Sequence, residues 1–210
     1  MSFVSIIATD QWISAVSDGT LVEVIEKGKI KRCLGNKPSF LRISKRQFIA
    51  CTGSAALLNR VKNDMPFNSQ PYVINQAMLS RLEHGVKSIS AEWQDVLLVV
   101  ADLTKKSVCR MISNQKDADW VTVVPQYGRA GTLFLAGKGI DNQKIKLIYE
   151  ECSRMLGDKQ NDLKSVIIAQ NQLNRLAAKF DPSIGSRLFH LSIKAEVKSD
   201  GGLNGNPTSD

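Results

Sequence analysis

The stretch Ser2-Phe-Val-Ser-Ile-Ile-Ala-Thr-Asp-Gln-Trp-Ile-Ser-Ala-Val-Ser-Asp18-Gly19 decides how the chain is read. Residues 3–9 are β-branched and apolar, the pattern of a buried strand. Asp10-Gln11 supplies a turn, Trp12 to Ser17 returns as the partner strand of a hairpin, and Asp18-Gly19 has turn chemistry. Ser2 stands at the mouth of the first strand, sixteen positions before Asp18. A serine in second place is small enough for methionine aminopeptidase to remove Met1. The α-amino group then lies beside the hydroxyl of the same residue, and one residue carries both a nucleophile and a base.

Working outward, Leu21 to Ile25 and Gly28 to Cys33 form a second hairpin about Glu26-Lys27-Gly28. Phe40 to Ile43 and Gln47 to Thr52 pair about the charged turn Lys45-Arg46, so the opening reads as a β-meander. The character changes at Gly53-Ser54, where Ser54 can cap a helix running to about Asn63. After a loop holding Pro66 and Pro71, residues 73–86 carry helical spacing at Val73, Ile74, Ala77, Met78 and Leu82. Strands follow at 95–103, 107–112, 120–124 and 132–136, the last ending at Gly137-Lys138-Gly139. Two long helices, from Asn142 to about Met155 and from Leu163 to Ala178, precede a final strand at 187–193. Strands joined by hairpins form antiparallel sheets, with helices gathered outside. The fold class is therefore α+β, a four-layer αββα sandwich of two mostly antiparallel sheets flanked by helices. Residues 1–195 read as one domain. The Ser/Asp/Gly/Asn/Pro-rich stretch 196–210 reads as a disordered tail.

Hydrophobic residues make up 43% of the 210 and charged residues 23%, which leaves room for a buried core and argues against wholesale disorder. No apolar run approaches the roughly 20 residues of a membrane span, and Asp10 and Gln11 interrupt any apolar signal region. A cytoplasmic protein is expected. The net charge of +8 comes from scattered lysines and arginines, and with only 6% aromatic residues nothing interleaves bases and rings as a nucleic-acid surface does. Cys33, Cys51, Cys109 and Cys152 form no C-x-x-C pair, and with two histidines, His84 and His190, there is no support for a metal site. Cys51 and Cys109, inside apolar runs, read as reduced core residues, and Trp12, Trp93 and Trp120 as packing residues. No cofactor is expected.

This order of elements, with Ser2 and Asp18, resembles the proteasome β-subunit family and its bacterial relative, the peptidase of the HslUV protease, both N-terminal nucleophile hydrolases. In that family a nucleophile opens the first strand and an aspartate follows sixteen positions on. Ile49-Ala-Cys-Thr-Gly-Ser54 resembles its strand that ends in a glycine turn before the first helix. Leu133-Phe-Leu-Ala-Gly-Lys-Gly139 resembles its glycine-rich turn before the third helix, and Asp181-Pro-Ser-Ile-Gly185 its turn before the final strands. The resemblance covers about residues 2–194.

The resemblance implies a peptidase in which the Ser2 hydroxyl attacks the scissile carbonyl and its own α-amine takes the proton. Asp18 would orient a lysine: Lys37 by position, with Lys31 and Arg32 as competitors. The Gly53 N–H would donate to the oxyanion, Cys51 would face the first specificity pocket, and Asp181 would support the site. The family usually has threonine where this chain has Ser2, and a serine where it has Lys138. The implied partners are a peptide or unfolded protein as substrate, further copies of the chain in a homo-oligomeric ring, and an ATPase unfoldase. The departures keep a second reading in view, a catalytically inactive structural or assembly member of the same fold.

Overall fold

The computed structural model describes residues 2–25, 29–137 and 139–195, and the side chains of these except 20–34. The turn expected at Glu26-Lys27-Gly28, Lys138 and the tail from Glu196 lie outside the described residues, as does Met1. Among the described residues, eleven strands and four α-helices follow one another in the expected order. They are β1 (Val4–Ala8), β2 (Trp12–Asp18), β3 (Thr20–Ile25), β4 (Lys29–Asn36), β5 (Phe40–Ser44), β6 (Gln47–Thr52), α1 (Ala55–Asp64), α2 (Gln76–Lys87), β7 (Leu97–Asp102), β8 (Val108–Ser113), β9 (Val121–Val123), β10 (Gly131–Leu135), α3 (Asn142–Leu156), α4 (Leu163–Phe180) and β11 (Leu188–Lys194).

One sheet has the order β10-β1-β2-β11 and the other β5-β6-β7-β8-β9, with every pairing antiparallel. The opening is not the continuous meander its turns imply. Its first hairpin joins one sheet, its last joins the other, and β3 pairs with β4 alone. Long-range partners override hairpin adjacency here, because β10 and β11 return from far along the chain to flank β1 and β2.

Three apolar clusters fill the spaces between four layers. Val4, Ile6 and Ala8 from β1 meet Phe48, Ala50 and Val99 between the sheets. Phe3 and Ile7, on the other face of the same strand, meet Ile148, Val166 and Leu173 of α3 and α4. Ile49 and Leu98 meet Leu57, Val61 and Leu82 of α1 and α2. This is why β1, β2 and β6 are buried at every position: each is covered on both faces, and their sequences read as near-continuous apolar runs. The expectation that Cys51 and Cys109 are buried thiols holds, as it does for Trp12, but Trp93 is largely exposed.

The helices begin where capping side chains let them. Ser54 Oγ accepts the Leu57 N–H at 3.1 Å, and Asp141 and Asp162 cap α3 and α4. The second helix starts at Gln76, three residues later than its apolar spacing indicates, because the Asn75 side chain accepts from the Met78 N–H. A buried polar network ties α4 to the first sheet. Gln170 donates to the carbonyls of Ser5 (2.9 Å) and Ser14 (3.2 Å) and accepts from Ser14 Oγ at 2.6 Å. His190 Nε2 lies 3.3 Å from Ser14 Oγ, so the imidazole is a bonded sheet residue.

Partial burial pushes the His190 imidazole below its ordinary range. The unfolded chain therefore takes up this proton first. Its contribution to stability is complete above about pH 6.5 and declines as the pH falls below that value. In His190→Gln, unfolding midpoints measured in urea between pH 7.5 and 5 should fall less steeply than in the wild type.

Candidate active site

Ser2 is half-buried at the head of β1, and the backbone next to it is clasped by Asp18. The Phe3 N–H donates to Asp18 Oδ1 at 2.7 Å, and the Asp18 N–H donates to the Phe3 carbonyl at 3.3 Å. The second carboxylate oxygen accepts the Gly185 N–H at 2.9 Å. Asp18 is fully buried, so these donors replace water around a charged group. The sixteen-residue spacing has a mechanical basis. Antiparallel pairing sets Val4 opposite Ser17, so the residue after Ser17 falls beside Phe3 and next to Ser2.

The donor on Gly185 comes from the turn that begins at Asp181. Asp181 is itself buried at the C-terminal end of α4, accepts the Ser183 N–H at 2.9 Å, and has its carbonyl bonded by the Ile184 N–H. Its carboxylate closes over the glycine-rich turn: a Cβ built on Gly139 would sit 2.2 Å from Asp181 Oδ2. Gly19 is equally constrained, since a Cβ there would lie 2.2 Å from the Phe189 ring. Ser2, Asp18, Gly139 and Asp181–Gly185 thus belong to one assembly of touching turns.

Gly53 reaches the same end of the sandwich by a different route. Ser17 Oγ accepts the Ser39 N–H at 3.2 Å, and the Ser39 carbonyl accepts the Cys51 N–H at 2.8 Å. The end of β2 is in this way stitched to the end of β6, and Gly53 follows with φ of +84°. Neither Ser17 nor Ser39 carries a signal in the sequence, because serines near strand ends are common.

Of the other expected site residues, Cys51 is buried and the Lys37 side chain is exposed. Cys51 is 4% exposed and packed with Ile49 and Leu57, and burial pushes its thiol up to about 12. Its S–H donates to the Thr52 carbonyl at 3.5 Å, so it braces the peptide that leads into Gly53. Strand alternation explains this, since Cys51 shares its face with Ile49 and points at the helices. Lys37 lies close to Asp18 in the chain path, with its N–H on the Gly19 carbonyl at 2.7 Å. Its side chain is exposed, and among the described residues no ion pair joins it to Asp18. The side chains of Lys31 and Arg32 lie outside the described residues.

Replacing Asp18 tests the clasp. Asp18→Ala leaves the buried Phe3 N–H and the partly buried Gly185 N–H without this acceptor, and each unsatisfied buried donor costs about 1–3 kcal/mol. Urea unfolding should show a loss of about 2–5 kcal/mol, and Asp18→Asn, which keeps one acceptor, an intermediate loss.

No family model and no curated protein sequence matches the chain. Solved structures do. Anbu (ancestral beta-subunit) from Yersinia bercovieri is similar with a TM-score of 0.59 at 12% identity, over 92% of this chain and 82% of that one. BPH from Thiobacillus denitrificans, solved in complex with epoxomicin, gives 0.57 at 12% identity over 93% and 100%. HslV from Trypanosoma brucei gives 0.51 at 13% identity over 92% and 99%. At such identities the likeness is one of fold. The chain has the proteasome-like αββα fold of these structures.

Proposed function

We propose that the chain is a proteasome-like, HslV-like peptidase that uses Ser2, freed by removal of Met1, as nucleophile and its α-amine as base. The observation that carries this reading is the buried Asp18 carboxylate bonded to the backbone directly after Ser2. A half-buried serine at a strand mouth, fixed from the next residue, is held in place for attack on a bound carbonyl. An α-amine with an ordinary pKa of about 7.7–8.0 is poised to accept the hydroxyl proton near neutral pH. The Gly53 N–H, at the same end of the sandwich, is the candidate oxyanion donor. Asp181 supports the site through its turn, and Cys51 supports it through the peptide before Gly53.

The peptidase works on peptides or unfolded protein in the cytoplasm, inside a homo-oligomeric ring fed by an ATPase unfoldase. In a ring the site is enclosed by symmetry-related copies, and folded substrates cannot enter without unfolding. A catalytically inactive structural or assembly protein is the second reading. The observation that favours it is the exposed Lys37 side chain, which stands in solvent and not against Asp18 as the family's lysine would.

Intact-mass measurement of the purified chain, paired with hydrolysis of fluorogenic peptides, tests the proposal. The expected result is loss of one methionine mass and measurable amide cleavage. A chain that retains Met1 in full would overturn the α-amine mechanism. A Met1-free chain that forms rings but cleaves nothing would establish the inactive reading.

A further inference from the structure

The outer helical layer holds a second site, remote from Ser2 in the layered order. Between α1, α2 and the connecting segment 65–75 lies a cavity of about 350 Å³. Leu57, Val61, Met65 and Leu82 form its apolar floor. Its outer wall is a built structure. Gln47, fully buried, donates to the Tyr72 carbonyl and accepts the Tyr72 N–H, both at 2.8 Å, as a strand neighbour would. Tyr72 Oη donates to the Pro66 carbonyl at 2.7 Å, and the Asn68 N–H donates to the Ile43 carbonyl at 2.9 Å. These bonds hold the wall away from the helices, and the cavity does not close by collapse.

The mouth is cationic. Arg81 contacts Asp64 at 2.9 Å and Arg60 contacts the same carboxylate oxygen at 4.0 Å. Two guanidiniums share one carboxylate, which leaves a net charge of +1 at the rim. Each guanidinium has five N–H donors, more than one carboxylate can engage. Both arginine side chains are more than half exposed and able to turn toward a second anion.

We propose that this cavity binds a small amphipathic carboxylate, its apolar body on the Leu57–Leu82 floor and its carboxylate between Arg60 and Arg81. The cavity lies at the small end of the range for ligand sites. At about 30 Å³ per water-sized group it holds roughly a dozen non-hydrogen atoms, the size of decanoate. An apolar cleft alone accepts any chain of that length; the cationic rim selects the anionic head, because a charge-assisted bidentate bond is the strong contact available there.

Calorimetric titration of the full chain with decanoate below its micelle concentration tests this. Decan-1-ol and decylammonium serve as head-group controls. Saturable one-to-one binding of decanoate is expected, with both controls weaker by about tenfold or more. Arg81→Ala should bring decanoate down to the level of decanol, and Asp64→Asn, which frees both guanidiniums, should tighten it. Ala77→Phe fills the cavity from an exposed helix position and should abolish binding without loss of fold by circular dichroism. Equal affinity for the three head groups, non-saturating uptake, or unchanged binding in Ala77→Phe overturns the proposal. So does disassembly of an oligomer by Ala77→Phe in light scattering, which would assign the cleft to a second copy of the chain. None of these readouts depends on amide hydrolysis.

Discussion

Ser2→Ala, compared with the wild type in the Met1-free form proposed above, should fold and assemble normally and lose amide hydrolysis by about three orders of magnitude or more. The change removes one oxygen from a half-buried residue. The bonds that fix the strand head use the Phe3 N–H, the Phe3 carbonyl and the Asp18 carboxylate, and none of them involves the serine side chain. Stability should therefore stay within about 0.5 kcal/mol, the ordinary range for a substitution that breaks no such feature. In the proposed mechanism activity depends on that oxygen entirely, because loss of a nucleophile leaves only the oxyanion donor and binding to act. Ser2→Thr restores the hydroxyl on a bulkier side chain and should retain activity. A Met1-retaining form should be as inactive as Ser2→Ala, since its nitrogen is an amide with no basic lone pair. In the active forms kcat/KM should rise with pH through the amine's range, near 7.7–8.0 when unperturbed, because the deprotonated amine is the base. Equal rates in the wild type and Ser2→Ala would remove Ser2 from the mechanism.

The fold was legible because its signals are local and redundant. The largely apolar runs of β1, β6 and β7, the caps Ser54, Asp141 and Asp162, and the turn residues between hairpins each mark an element without reference to the rest of the chain. What local signals do not carry is which strands become neighbours. Nothing in Leu133 or Leu191 states that their strands flank β1 and β2, so the opening read as one meander where it divides among three sheets. The site divides along the same line. Ser2, Asp18 and Gly53 stand out because spacing and turn chemistry mark them. Ser17 and Ser39, which bind the two sheet ends together, are anonymous until the sheets are stacked. Cys51 enters the expected site only through the family resemblance, and strand alternation turns its side chain toward the helices with Ile49. Gly185 was visible only as part of a turn; its N–H on Asp18 is a contact across 167 residues.

Gly53→Ala should damage stability and activity together, and by more than any other glycine substitution in a turn. The backbone of Gly53 has φ of +84°, where a side chain is strained by about 1–2 kcal/mol. Space is the larger obstacle. A Cβ at this position would lie 1.9 Å from the Asp95 carbonyl oxygen, 2.9 Å from its carbon and 3.1 Å from Val96 Cα. These are backbone atoms, and they are anchored. Asn114 Oδ1 accepts the Val96 N–H at 2.9 Å, and the Asn114 N–H donates to the Val96 carbonyl at 3.0 Å. The same side chain donates to the carbonyls of Ile89 and Gln94. The segment that carries Val96 into β7 cannot retreat without breaking that set, so the Gly53 turn must move instead. Gly128→Ala is the control: its φ is +72° and nothing lies within 4 Å of the added carbon, so it reports the conformational strain alone. Urea unfolding should show about 1–2 kcal/mol for Gly128→Ala and at least about 3 kcal/mol for Gly53→Ala. Displacing the turn also moves the Gly53 N–H, the oxyanion donor of the proposed mechanism, and a lost donor there would cost about a hundredfold to a thousandfold in kcat. Equal stability losses in the two variants would mean that Asp95 does yield, and that the close packing of this turn does not hold Gly53 in place.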